Sequence, residues 1–301
     1  MKEQSIQIKM RRERNIVDNG IDQYQKITVD YDLLSTLDLP IAIPFVLTVN
    51  WNGVKFEFLI KINVNSPNLL VFSSGAMVTK VNLPYFQRHS WIYDFEDSMI
   101  YYNDPTLYLG DIPLGWGQGT WDRFYLKDIA TILTKLIGKI GVNQQNVLFY
   151  GSSGGGFMSL ILAGYIRDST ALVNCPQTCL TKWLEIPVQN VFNLSYPSLS
   201  IQEVLKVFPE RINVIKFYNH IKYVPKIYYL QNAACEYDMT NHVIPFLSDL
   251  QFMEDGCVVN KVIVDLYYDK QPGPAILPAL GGHGALGKYE TINYINQVKA
   301  K

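Results

Sequence analysis

Hydrophobic residues over most of the chain form short continuous runs that alternate with segments of helical periodicity. The helical spacing is clearest over residues 125–140, where apolar side chains recur every three or four positions and so share one face. Further helices are predicted over 157–166, 241–253 and 288–298. The apolar runs, each predicted to be a buried strand, span 69–73, 99–102, 146–150, 171–173, 226–231 and 261–268. This alternation predicts an α/β fold with a mostly parallel sheet covered by helices on both faces.

The amino-terminal portion, residues 1–65, has the pattern of β structure instead. A short strand is predicted over 27–29. The β-rich runs 45–51 and 54–62 flank Asn52-Gly53, a dipeptide typical of the tight turn in an antiparallel hairpin. One strand of this hairpin could lie at a sheet edge and pair with a second copy of the chain, which would make the protein a homo-oligomer.

Residues 180–224 are too many for a plain connection between two elements. Ser200 and Glu203 have the spacing of a capping box at a helix start. The segment is therefore predicted to be a partly helical, cap-like insertion over the edge of the sheet. Because the sequence contains no repeat and no linker, residues 1–301 are expected to form a single domain.

Composition and charge exclude several classes of protein. The 301 residues are 48% hydrophobic, and 26 Lys and Arg against 27 Asp and Glu leave a net charge of −1. These values exclude a disordered chain and give no reason to expect a partner such as nucleic acid. The longest apolar stretch is about half of the ~20 residues that span a bilayer. Since the first residues also lack the apolar run of a signal peptide, a cytoplasmic protein without a membrane span is expected.

The four cysteines lie at Cys175, Cys179, Cys235 and Cys257. Only the first two are close in sequence, and no second Cys or His pair has the spacing of a zinc site. Buried free thiols are therefore predicted, with no metal and no organic cofactor.

The most informative segment is Gly151-Ser152-Ser153-Gly154-Gly155, which contains the pattern Gly-x-Ser-x-Gly. It directly follows a predicted strand and opens a predicted helix, which is the context of a nucleophile elbow. There the serine lies on a sharp turn that exposes its hydroxyl above the sheet. The alternative, a glycine-rich turn that binds a phosphate, lacks both the P-loop lysine and the spacing of a dinucleotide fingerprint.

A serine nucleophile of this type requires an acid and a base later in the chain, in that order. Asp238 follows the strand predicted over 226–231, and His283 lies between glycines beyond the last predicted strand. Both are expected to act with Ser153, His283 as the general base and Asp238 as the group that orients it. The alternatives left open are a rival base at His242 and rival acids at Glu236, Asp265 and Asp269.

Candidate oxyanion donors are the backbone amides of Gly154, at the start of the helix, and Ala76, in the loop after the strand 69–73. Gly75 in that loop is a candidate for substrate contact, although an ordinary glycine turn is the alternative. Further candidates are Trp116 and Trp121, whose rings could stack on a sugar unless they belong to the core of a lid. Gln177, which follows another strand end, could line the same cleft unless it only forms a turn.

The order of strand, Gly75 loop, Ser153, Asp238 and His283 resembles the α/β-hydrolase superfamily over residue 45 to the end. The elbow and the helix before it are also similar to hydrolase-like acyltransferases and esterases of bacterial glycan and accessory-secretion loci. The chain departs from common lipases because Ser74, before Gly75, replaces the His of the usual His-Gly pair. The resemblance implies an α/β-hydrolase fold, with a triad that needs no cofactor.

The expected function is a serine-dependent hydrolase or acyl/acetyl transferase that works through an acyl-enzyme, with a small-molecule or glycan substrate. A carbohydrate-linked acyl group would suit the aromatic stretch. The alternative is an α/β-hydrolase-fold binding protein in glycan or secretion processing that is non-catalytic or active only with a protein partner.

Overall fold

A computed structural model describes the protein at residue 18 and over residues 20–271 and 280–300. The strands are β1 (Gln25–Asp30), β2 (Phe45–Trp51), β3 (Val54–Lys61), β4 (Leu69–Ser73), β5 (Ser98–Tyr102), β6 (Val147–Ser152), β7 (Thr170–Asn174), β8 (Tyr223–Val224), β9 (Lys226–Asn232), β10 (Val258–Val259) and β11 (Val262–Tyr267). Each predicted strand segment overlaps one of these strands. The start of the amino-terminal portion, including the residues considered for a signal peptide, lies outside the described residues.

The helices are α1 (Tyr125–Ile140), α2 (Gly154–Tyr165), α3 (Glu185–Ser195), α4 (Ile201–Val207), α5 (Pro209–Ile212), α6 (Val214–Ile221), α7 (Glu236–Asp238), α8 (Ile244–Leu250) and α9 (Lys288–Lys299). A π-helical turn, Met239–Val243, joins α7 to α8. The bounds of α1 agree with the periodicity of the sequence. Among the described residues no helix is both long and apolar enough to cross a membrane.

One sheet of nine strands forms the centre of the described structure, in the order β1-β2-β3-β5-β4-β6-β7-β9-β11. The strands from β5 to β11 in this order run parallel, whereas β3 is antiparallel to both β2 and β5. This arrangement confirms the predicted α/β class and mostly parallel sheet. It also brings the carboxyl ends of β4, β6, β7, β9 and β11 to one edge, where their loops meet.

Both faces of the sheet are covered, as the continuous apolar strands predict. Alternate residues of β6 point to opposite faces, so that Phe149 packs with α1 and α2 while Tyr150 packs in a second cluster with Ile295 of α9. The parallel strands β4, β6 and β7 are fully buried between these two layers. The rigid core therefore fixes the positions of the loops at the carboxyl edge.

The predicted hairpin is present, with Asn52 and Gly53 at φ 47° and 77° between β2 and β3. Its expected place at a sheet edge is wrong, because β1 pairs in parallel with β2 over its whole length. The row of backbone groups on β2 is therefore already occupied. The hairpin gives no support to pairing with a second copy.

The insertion over 180–224 is helical, as expected, and the capping box is formed. Ser200 Oγ accepts from Glu203 N at 3.3 Å, and Glu203 Oε2 accepts from Ser200 N at 2.8 Å. The last helix of the insertion, α6, packs on α2. Gly164 permits this approach, since a Cβ there would lie 2.5 Å from the ring of Phe217.

Candidate active site

Ser153 lies on the sharp turn between β6 and α2, with φ 55° and ψ −125°. A side chain rarely adopts this backbone, which costs about 1–3 kcal/mol where the surroundings impose it. The neighbouring glycines allow the turn. A Cβ at Gly151 would lie 2.2 Å from the Gly155 carbonyl oxygen, and one at Gly155 would lie 2.7 Å from that of Ser73. The geometry is that of the predicted elbow.

Ser153, His283 and Asp238 lie in one hydrogen-bonded row, although they come from the loops after β6, β11 and β9. Ser153 Oγ is 2.9 Å from His283 Nε2. His283 Nδ1 is 2.7 Å from Asp238 Oδ2, and the Asp238 side chain is fully buried. In this geometry the imidazole can take the proton of the hydroxyl while the carboxylate holds its other nitrogen.

The structure separates the rival bases and acids from Ser153. His242 is buried, and its Nδ1 accepts from Thr178 N at 3.3 Å. Burial lowers the pKa of His242 to about 4, although the Asp238 carboxylate opposes the shift. Glu236 is exposed. The carboxylate of Asp265 accepts from Tyr294, and that of Asp269 accepts from Gln271.

Two asparagines that end neighbouring strands hold the loop of His283. Asn174 Oδ1 accepts from Leu286 N at 2.6 Å, and its Nδ2 donates to Tyr267 Oη at 2.9 Å. Asn232 Nδ2 donates to the Gly282 carbonyl at 3.1 Å. Sequence reasoning missed this role. The available signal was the position of each amide, at the carboxyl end of a buried strand.

Gln177 is fully buried against the elbow. Its Nε2 donates to Ser153 Oγ at 3.3 Å and its backbone N donates to Ser153 O at 3.1 Å. Trp116 Nε1 donates to Gln177 Oε1 at 2.5 Å and so fixes which end of the amide faces the hydroxyl. Gln177 therefore contacts Ser153 itself, and its expected role in lining a substrate cleft stays a prediction.

Of the two tryptophans expected to offer a ring to a sugar, one is buried and the other is exposed. Trp116 is fully buried, so in this structure its faces are covered by protein. Trp121 is 60% exposed, but among the described residues no hydrogen bond or ring contact joins it to Ser153 or His283. The aromatic stretch therefore supplies packing and one donor to Gln177.

Of the candidate oxyanion donors, Gly154 is the first residue of α2, where backbone N–H groups have no partner within the helix. The N–H of Ala76 makes no hydrogen bond to any described residue, whereas that of Gly75 donates to Gln87 Oε1 at 2.8 Å. Arg88 braces this arrangement by donating to Gln87 Oε1 and to Ser152 Oγ, each at 2.9 Å. No sequence pattern pointed to Gln87 or Arg88.

Trp183, at the start of the insertion, is a further aromatic residue that sequence reasoning missed. Its ring centroid lies 4.8 Å from that of His283, with 40° between the planes. It also meets Tyr237 edge-on at 5.7 Å. The side chain is half-buried and therefore partly open beside the imidazole.

A cluster of possible metal ligands in the described part of the chain is Cys235, Asp238 and His283, whose donor atoms lie within 4.8 Å of one another. It shares two residues with the Ser153 row, where Nδ1 and Oδ2 already bond to each other. Burial raises the pKa of the Cys235 thiol to about 12, which disfavours its thiolate form. Of the four free cysteines, Cys175 and Cys235 are buried, while Cys179 and Cys257 are partly exposed.

The sheet order, the elbow and the loop positions together define the α/β-hydrolase fold, and comparison with solved structures agrees. The chain is similar to the capsule O-acetyltransferase of Neisseria meningitidis serogroup A, with a TM-score of 0.59 and 14% identity over 84% of this chain and 96% of that one. It is also similar to carboxyl esterase 2 of Tuber melanosporum, with a TM-score of 0.53 and 14% identity over 99% and 96% of the two chains.

A third similar structure is the glycosylation-associated protein complex (Gap123) of Streptococcus agalactiae, with a TM-score of 0.55 and 12% identity. Here the match covers 83% of this chain and 44% of the other. No protein-family model and no curated protein matches the sequence. At these identities the similarity establishes the fold, while the activity has to be argued from the site.

Proposed function

We propose that the protein is a serine-dependent hydrolase or acyl/acetyl transferase that acts on an ester or a related carbonyl. The observation that carries this proposal is the continuous row from Ser153 through His283 to Asp238, with contacts of 2.9 and 2.7 Å. A strained serine hydrogen-bonded to an imidazole that is itself held by a buried carboxylate suits nucleophilic catalysis.

In the first half-reaction Ser153 Oγ attacks the carbonyl carbon while His283 Nε2 takes the hydroxyl proton. The amides of Gly154 and Ala76 donate to the resulting oxyanion. The imidazolium then gives its proton to the leaving alcohol, and the C–O bond to that alcohol breaks. Water or an acceptor hydroxyl repeats these steps on the acyl-enzyme, which returns Ser153 to its free state.

Gln177 supports the nucleophile in this scheme. Its Nε2 donates to Ser153 Oγ, so the hydroxyl accepts one hydrogen bond while it gives its proton to His283. The donor also stabilises negative charge that develops on Oγ. Gly75 supports the oxyanion loop, since its amide is bonded to Gln87.

The substrate that we propose carries its acyl group on a carbohydrate. Similarity to a structure named as a capsule O-acetyltransferase and to a glycosylation-associated complex favours this class over lipids. The second similarity also favours an alternative, an α/β-hydrolase-fold protein that is active only with a protein partner or serves as a binding component. The same experiment separates the two.

The test is labelling with a fluorophosphonate probe, which reacts with activated serines. We expect labelling of the wild-type protein and none of Ser153→Ala, with His283→Ala strongly reduced. Thermal unfolding of each variant checks that it is folded. A folded wild-type protein that remains unlabelled would refute an enzyme active by itself, and labelling restored by a co-purified partner would establish the alternative.

A further inference from the structure

The proposed chemistry fixes which side of the site receives the alcohol portion of the ester. His283 Nε2 protonates the leaving oxygen and later takes the proton of the water or acceptor, so the alcohol must lie beside the imidazole. The aromatic ring next to that imidazole is Trp183, 4.8 Å away between centroids. An alcohol bound on the side of the imidazole that faces Trp183 would therefore lie near this ring.

Neighbouring rings hold the Trp183 indole in one place. Tyr237 meets it edge-on at 5.7 Å, with the planes at 89°, and His242 lies 6.0 Å away. Tyr237 is in turn held by a 3.0 Å hydrogen bond from its hydroxyl to the Lys182 carbonyl oxygen. A ring that is fixed before binding loses little entropy when a ligand stacks on it.

Trp183 also differs in exposure from the two tryptophans favoured by the sequence. Trp116 is fully buried, and Trp121 is exposed without a ring contact to His283. Trp183 combines partial exposure with a direct contact to the base. An indole offers an apolar face, and the C–H face of a sugar ring stacks on such a surface while its hydroxyls point to the sides.

We propose that Trp183 is the platform for the alcohol portion of the substrate and that this portion is a sugar ring. The proposal rests on the proposed function and adds to it the binding site of the sugar. A hydroxyl at the edge of a sugar stacked on Trp183 lies within reach of His283. The acyl group is then directed towards Ser153 and the amides of Gly154 and Ala76.

The experiment compares two acetyl esters that give the same acyl-enzyme, a methyl glucopyranoside acetylated on one hydroxyl and vinyl acetate, which has no ring. The measured quantity is the ratio of their kcat/KM values. We expect Trp183→Leu to lower this ratio about tenfold, because one stacking contact is lost on one substrate only. Trp183→Phe retains an aromatic ring and should therefore give a ratio close to that of the wild-type protein. Trp121→Leu is the matched control and leaves it unchanged.

An unchanged ratio in Trp183→Leu would overturn the proposal. If both kcat/KM values fell by the same factor, the ring would only support His283. If neither fell, the ring would have no part in catalysis or binding. Fluorophosphonate labelling of Ser153 in each variant reports whether the site is intact. If the leucine variant is not labelled, tryptophan fluorescence decides: adding the sugar acetate should change the emission of Ser153→Ala but not that of Ser153→Ala/Trp183→Phe.

Failure of this proposal is distinct from failure of the proposed function. A wild-type protein that is labelled and turns over vinyl acetate, with a ratio that does not depend on Trp183, refutes the sugar platform alone. A folded protein that is neither labelled nor active on either ester refutes both.

Discussion

Asp238 holds His283 through one carboxylate oxygen only. Oδ2 lies 2.7 Å from His283 Nδ1, while Oδ1 is buried and has no hydrogen-bond partner among the described residues. Gln231 Nε2 also donates to Oδ2, at 3.4 Å. The oxygen that faces the imidazole is therefore the one that the surrounding structure fixes.

Replacing Asp238 by asparagine should lower ester turnover about 10³- to 10⁴-fold, because the amide no longer stabilises the imidazolium or fixes its tautomer. The measurement is kcat/KM with a small ester, together with thermal unfolding to show an intact fold. Asp265→Asn is the matched control. Asp265 lies on the exposed strand β11, and its carboxylate accepts a hydrogen bond from Tyr294. Full activity of Asp238→Asn would remove Asp238 from the mechanism.

His242 should make the stability of the protein depend on pH. Burial lowers its pKa from the ordinary value of 6.5 to about 4. Between these values the unfolded chain binds the proton and the folded protein does not. The free energy of unfolding therefore falls as the pH drops from about 6.5 to 4, and the contribution of His242 is fully present above 6.5. The shift corresponds to about 3 kcal/mol.

Urea unfolding of the wild-type protein and of His242→Gln between pH 4 and 7 measures this contribution. The variant should show a smaller loss over the window. His220→Gln changes an exposed histidine and should leave the wild-type slope unaltered. Parallel curves for the wild type and His242→Gln would mean that His242 does not remain neutral in the folded protein.

Two glycine-to-alanine variants should change stability in opposite directions. A Cβ at Gly151 would lie 2.2 Å from the Gly155 carbonyl oxygen, so Gly151→Ala should lower the free energy of unfolding by about 2–3 kcal/mol. Gly138 lies on the exposed side of α1 with nothing within 4 Å, and Gly138→Ala should raise it by about 0.5–1 kcal/mol. Denaturant unfolding decides, and a neutral Gly151→Ala would contradict the close approach of β6 and α2.

Asn174→Ala should release the loop of His283 from β7 and lower kcat about 10- to 100-fold, because small displacements of a catalytic group are costly. Tyr267→Phe removes only the hydroxyl that bonds Asn174 and the Gly284 carbonyl, and should cost less. Rates of fluorophosphonate labelling would report the same order. Wild-type rates in Asn174→Ala would show that other contacts suffice to hold the loop.

The sequence predicted those parts of the molecule that depend on local patterns. Helix α1 follows from spacing within residues 125–140, and the elbow follows from five consecutive residues between a strand and a helix. The order in which Ser153, Asp238 and His283 occur could be read in the same way. Their meeting at one edge follows from the parallel sheet, because such strands present their carboxyl ends together.

Contacts between distant residues could not be predicted. The bond between Asn174 and Leu286 joins positions 112 residues apart, and neither residue belongs to a motif. Composition marked the stretch around Trp116 as aromatic but could not tell a buried ring from an open one. It gave equally little reason to select Trp183, which becomes notable only once its ring is seen beside His283.

The backbone conformation of Ser153 affects which substitutions are favourable at this position. At φ 55° and ψ −125° glycine would be the cheaper residue, so a mutation from serine to glycine relaxes the turn. Where the hydroxyl is not needed, replacing Ser153 by glycine would relieve the strain in the turn. Serine at this position therefore keeps the hydroxyl that bonds His283, although it strains the backbone.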